Sequence, residues 1–129
     1  MSVPLGYQIY ECKTCGNVVE MITASGVPVV CCGEEMQPII PNSSGAAVEK
    51  HMPVFEVENG RVTVTVGEVT HPMTPEHRIE WIYMITKHGA QCRFLKAGDE
   101  PKAVFLLGDD EPKEIYALCN LHGLWKIEA

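Results

Sequence analysis

Arg61-Val62-Thr63-Val64-Thr65-Val66 alternates polar and apolar side chains without a break. Successive strand side chains point to opposite faces, so this run puts three valines on one face and arginine and two threonines on the other. A helix of period 3.6 would scatter them. Working outward, Ile79, Trp81, Tyr83 and Ile85 recur at the same period of two. Further β candidates are Pro53 to Val57, Gln91 to Lys96, Lys102 to Leu107 and Glu114 to Leu118. Gly, Pro, Asp and Asn separate them at short intervals, and Lys87-His88-Gly89-Ala90 reads as a hairpin turn that leaves His88 exposed. This spacing predicts an antiparallel β-sandwich.

Toward the N-terminus the text changes. Pro38 to Ala47 is rich in proline and small residues, as suits a linker. The expected organisation is a small first domain over 1–37, a linker over 38–48 and the sandwich over 49–129. In the first domain, Tyr7 to Glu11 and Val18 to Thr23 read as strands flanking Cys12-Lys13-Thr14-Cys15-Gly16. About 38 residues are too few to stand on an apolar core alone, since folds below ~40 residues usually need a staple.

Composition narrows the function classes. Of 129 residues 46% are hydrophobic and 21% charged, as in a globular protein with a core. A net charge of -7 and the lack of a basic arm argue against nucleic acid as a partner. No window reaches the ~18 apolar residues of a membrane helix, and Met1 to Gly6 lacks a leader pattern, so the cytoplasm is the expected location and no membrane partner is expected.

Six cysteines, at 12, 15, 31, 32, 92 and 119, suit metal binding in a reducing compartment. Cys12-x-x-Cys15 and the adjacent Cys31-Cys32, each pair followed by glycine, can close four thiolates around one ion. Spacing alone favours zinc over iron, but vicinal cysteines strain the chain and depart from common zinc ribbons. A second constellation comprises Glu49-Lys50-His51, His71-Pro72-Met73-Thr74-Pro75-Glu76-His77 and Cys119-Asn120-Leu121-His122-Gly123. Each histidine alone is more often a surface or hydrogen-bonded residue. Together with Cys119, on loops stiffened by proline and turned by glycine, they suit a second metal, and copper competes with iron for it.

The stretch Tyr10 to Glu20 with Cys31-Cys32-Gly33 resembles desulforedoxin, a small protein whose four cysteines hold one iron. Glu49-Lys50-His51-Met52-Pro53-Val54, Val69-Thr70-His71-Pro72-Met73, His77-Arg78-Ile79-Glu80-Trp81-Ile82 and Cys119 through Lys126 resemble desulfoferrodoxin, the two-iron class of superoxide reductase. The resemblance implies a mainly β chain: a desulforedoxin-like, rubredoxin-type metal module followed by an immunoglobulin-like, neelaredoxin-type sandwich. It implies two iron ions. Cys12, Cys15, Cys31 and Cys32 would hold the first. His51, His71, His77 and His122 would surround the second, with Cys119 as axial thiolate and the opposite position open to superoxide. One electron and two protons would convert superoxide to hydrogen peroxide. Lys50 would attract the anion and organise a proton-delivering water, and Glu49 would occupy the open position after oxidation. A rubredoxin-like electron donor and a homodimer are further implications. With that ligand set complete, Cys92 reads as a buried strand thiol; Trp81 and Tyr83, at period two on a strand, read as core, and Met52 and Met73 as lining the site or the core. The rival readings are a superoxide dismutase, and a noncatalytic protein that stores or carries electrons on iron or holds zinc structurally.

Overall fold

The computed structural model describes residues 9–42 and 48–129, and the chain divides into two compact units, Met1–Pro41 and Asn42–Ala129. Tyr7 and Gln8 of the first expected strand and Ser43 to Ala47 of the expected linker lie outside the described residues.

The first unit is built on very short strands. β1 (Ile9–Glu11) is central, paired antiparallel with β2 (Val18–Glu20) on one side and β5 (Gln37–Pro38) on the other. Between them β3 (Val30–Cys31) and β4 (Glu34–Glu35) make a minimal hairpin. Pro38, first residue of the expected linker, therefore lies opposite Tyr10 in a sheet. The buried apolar side chains among this unit's described residues are Ile9, Cys12 and Met36, while Ile22, Val27 and Val30 are exposed. So small a core cannot offset the chain entropy of folding, and some other bond must close the unit.

In the second unit a single helical turn, α1 (Val48–His51), precedes seven strands: β6 (Pro53–Glu58), β7 (Arg61–Val66), β8 (Ile79–Thr86), β9 (Ala90–Phe94), β10 (Lys102–Leu106), β11 (Pro112–Cys119) and β12 (Gly123–Glu128). They form two antiparallel sheets of order β10-β7-β6 and β12-β11-β8-β9. This is the expected sandwich. Val62, Val64 and Val66 of β7 are fully buried and pack with Ala103 and Phe105 of β10, Ile79, Ile82 and Met84 of β8, and Ile115, Ala117 and Cys119 of β11.

The phase of β8 differs from the sequence reading. Cys119 lies opposite Ile79 but Leu118 lies opposite Trp81, so Glu80 is an extra residue in the ladder. Such a bulge reverses the facing of everything beyond it. Ile79, Ile82 and Met84 are core, and the run Trp81, Tyr83, Ile85 falls on the opposite face, where Tyr83 is buried against Tyr116 and Trp81 is half-buried. Cys92 on β9 is half-buried rather than buried, because β9 is an edge strand. β12 and α1 are elements the sequence reading did not assign. Among the described residues no helix is long and apolar enough to cross a membrane.

Candidate metal centres

The cysteines of the first unit converge. Cys12 follows β1, and the turn after it is closed by the Gly16 N–H donating to the Cys12 carbonyl at 2.8 Å. Gly16 has φ +85° and Gly33 +77°, where a side chain would be strained, and Cys32 itself takes φ +54°. That left-handed residue lets two adjacent thiols face the same point. All four Sγ atoms lie within 4.8 Å of one another, and Cys15 and Cys31 Sγ are 3.6 Å apart. Thiolates about 2.3 Å from one tetrahedral ion would stand about 3.8 Å apart. Cys12 is pulled down to about 7, chiefly by the backbone N–H of Cys15, while hydrogen bonding to the Cys15 and Cys12 sulfurs pushes Cys32 up to about 12. The first thiol ionises readily, and the last keeps its proton because it donates it to neighbouring sulfurs; a divalent cation at the centre takes the proton's place. Asn17 Nδ2 donates to Cys31 Sγ at 3.6 Å.

The second constellation gathers at one end of the sandwich because strand termini meet there. β6 starts beside the end of β7, with Pro53 opposite Val66. β8 starts beside the end of β11, with Ile79 opposite Cys119, and Cys119 pairs with Gly123 across the β11–β12 turn. His51 is therefore delivered by α1, His71 and His77 by the β7–β8 loop, and Cys119 and His122 by the β11–β12 turn. Cys119 continues the inward row Ile115, Ala117, so its thiol faces the sandwich interior.

The four imidazoles form a closed ring. Neighbouring centroids are 4.7 Å apart for His51–His71 and His71–His77, 5.0 Å for His77–His122 and 4.8 Å for His51–His122, each pair 70–79° from coplanar. The His51–His77 distance of 6.4 Å is the diagonal of that square. His51 Nε2 and His122 Nδ1 are 3.1 Å apart; two nitrogens about 2.1 Å from a shared ion at right angles stand about 3.0 Å apart. Cys119 Sγ is 3.6 Å from the same Nδ1. Donor atoms of His51, His77, Cys119 and His122 all lie within 4.8 Å of each other. His71 is not part of that mutually close group.

Protonation fits a metal. Nδ1–H of His71 donates to the Pro72 carbonyl at 2.7 Å, which leaves Nε2 with its lone pair. That Nε2 and the Nε2 of His77 are buried without a hydrogen-bond partner. Leaving a buried acceptor unmet costs about 1–3 kcal/mol, so an electrophile there is the missing partner. Burial pushes His71 down to about 4; burial, then His122, His51 and the Lys50 ammonium, push His77 down. Both are neutral at pH 7, and the field of Lys50 reaches His77.

Lys50 and Glu49 are exposed on α1. A four-residue helix is unstable alone. It is fastened by Val69 N–H to the Glu49 carbonyl at 3.0 Å and Gly67 N–H to the Met52 carbonyl at 3.1 Å. Gly67, at φ +85°, has no room for a Cβ, which would stand 2.6 Å from the Lys50 carbonyl oxygen. Met73 packs against the core, and its sulfur accepts the Ile79 N–H. The sequence reading gave no role to Trp125. Its indole stacks on His51 at 4.9 Å and 17° and donates to the His122 carbonyl at 3.1 Å, bracing two ring members. Asn42 reaches the same carbonyl at 3.4 Å.

Residues 43–128 match the family model described as Desulfoferrodoxin, and residues 6–39 match Desulfoferrodoxin, N-terminal domain. The chain belongs to the desulfoferrodoxin family. It is 45% identical to the desulfoferrodoxin of Nitratidesulfovibrio vulgaris over 98% of this chain and 100% of that protein. A shorter relative, the superoxide reductase of Pyrococcus horikoshii, is 41% identical over 62% of this chain and 85% of its own length. Among solved structures, the superoxide reductase from Treponema pallidum superposes with a TM-score of 0.75 at 35% identity, covering 94% of this chain and 96% of that one. The two family models fall separately on the two units described above.

Proposed function

We propose that this chain is a superoxide reductase, an oxidoreductase that turns superoxide, one electron and two protons into hydrogen peroxide. The observation that carries the reading is the square of imidazoles beside the Cys119 thiol, two of its nitrogens buried without partners. The chain takes two iron ions. Cys12, Cys15, Cys31 and Cys32 hold one, and His51, His71, His77, His122 and Cys119 hold the other. When bound at the second site, iron supplies the electron that superoxide gains.

The chain's own residues supply charge and protons. Overall charge is -7, so attraction of an anion must be local. The Lys50 ammonium, one residue from His51 and near enough to act on His77, provides it and orders the water that donates protons. Glu49, exposed beside it on the same turn, is the carboxylate that would compete with an anionic substrate for the metal. Neutral imidazoles would keep the site's charge low, and the Cys119 thiolate, 3.6 Å from His122 Nδ1, would add electron density to a bound iron.

The electron comes from a small rubredoxin-like carrier, and the chain works in the cytoplasm as a homodimer. The exposed Ile22, Val27 and Val30, beside a groove lined by Met21, Pro28, Val29 and Met36, give the first unit an apolar face suited to a second copy.

The test is to load the protein with iron, reduce it without oxygen, and titrate it with superoxide while following the visible spectrum and assaying peroxide and oxygen. A growing thiolate-to-iron band with peroxide, and no oxygen beyond spontaneous dismutation, is expected. Oxygen formed in step with peroxide makes it a dismutase. An iron-treated protein that stays colourless and inert has taken up no redox-active iron, and that overturns the reading.

A further inference from the structure

Asn120 follows Cys119 and grips the chain on both sides of His77. Its Oδ1 accepts the Arg78 N–H at 2.8 Å, and its Nδ2 donates to the Glu76 carbonyl at 3.0 Å. The first group belongs to the peptide after His77 and the second to the peptide before it. The Asn120 N–H also donates to the Arg78 carbonyl at 3.1 Å. One carboxamide thus fixes both peptides that flank an imidazole, from a position bonded directly to the residue that carries the thiol.

Neither packing nor local folding accounts for it. Asn120 is exposed, so it fills no core space. The His77 loop already has its own closure. Thr74 Oγ1 accepts the His77 N–H at 3.0 Å, Thr74 N–H donates to the His77 carbonyl at 2.9 Å, and the Arg78 guanidinium donates to the Pro75 carbonyl at 2.7 Å. What Asn120 adds is a tie between that loop and the β11–β12 turn. A carboxamide suits the task because it offers a donor and an acceptor on one planar group; a carboxylate lacks the donor and a hydroxyl has one arm.

We propose that Asn120 is a positioning residue that sets the placement of the His77 imidazole relative to the Cys119 thiolate. The inference rests on the ligand assignment proposed above. Groups that orient metal ligands govern affinity although they never touch the ion.

The test uses the full chain loaded with cobalt(II), which reports both sites at once, the tetrathiolate serving as internal reference. In Asn120→Ala the thiolate-to-cobalt band of the Cys119 site should shift and weaken. A chelator should remove that ion at roughly ten- to hundredfold lower concentration, with the tetrathiolate unchanged. Asn120→Asp, which keeps the acceptor and loses the donor, should fall between. If Asn120→Ala matches the parent in band position and chelator competition within about twofold, the proposal is overturned while the ligand assignment stands. A parent protein with no thiolate-to-cobalt band outside the tetrathiolate site overturns both.

Discussion

Replacing His71 with leucine in the metal-free protein should stabilise it. His71 is 1% exposed, its Nε2 is buried without a partner, and its Nδ1–H bonds to the Pro72 carbonyl. Leucine, of similar volume, removes an unmet acceptor worth about 1–3 kcal/mol and loses one hydrogen bond worth about 0.5–1.5 kcal/mol. The balance is a gain of about 1 kcal/mol, or roughly 4–8 °C in Tm for a unit of this size. Acid should enlarge the gain. Burial holds His71 at about 4 in the folded state against an ordinary 6.5, so between those values the unfolded chain binds the extra proton and parent stability falls as pH drops. The loss from this residue approaches about 1.4 kcal/mol per pH unit, and the leucine variant lacks it. The assay is urea unfolding of chelator-treated parent and variant at pH 7.5 and 5, repeated with metal. Metal should invert the order, since the parent alone keeps a full ligand set. A metal-free variant less stable than the parent at both pH values would refute the argument that these nitrogens await an ion.

Three other outcomes follow from the same geometry. Stripping metal from the first unit should expose its four thiols to alkylation and abolish the circular-dichroism signal of its strands, because Ile9, Cys12 and Met36 are too small a core; a metal-free unit with protected thiols would contradict this. Lys50→Ala should slow the reaction with superoxide at least about tenfold and flatten its ionic-strength dependence in stopped-flow traces, whereas Lys50→Arg should retain that dependence. Phe105→Ala, at a fully buried site between the sheets, should cost about 3–5 kcal/mol in denaturant unfolding of the second unit, and a cost below about 1 kcal/mol would mean the core is not where it is placed.

The sandwich was legible because alternation is a direct record of which face is buried: Val62, Val64 and Val66 read as core and are fully buried. β8 was harder. From Trp81 to Ile85 its side chains are all apolar, so either phase fits, and nothing in the text marks Glu80 as the extra residue that swaps Trp81 and Tyr83 onto the other face. The spacing of the four N-terminal cysteines, and the gathering of four histidines with Cys119, were readable as two metal sites, while family likeness supplied the identity of the metal and the roles of Lys50 and Glu49. The bracing of that ring was not readable. Trp125 and Asn120 act through a stack and through backbone groups distant in sequence, and such contacts leave no periodic or spacing signal.

The ring of imidazoles draws on three stretches, around 51, 71–77 and 119–122, that only folding brings together. An ion shared by them closes chain loops of roughly 20 and 40 residues, as a removable disulfide would. Such a cross-link acts on the denatured ensemble and on the barrier to opening, so chelation should be paced by how often the β11–β12 turn carrying Cys119 and His122 detaches. Metal retention in this protein is then a property of strand-end breathing kinetics as much as of ligand affinity.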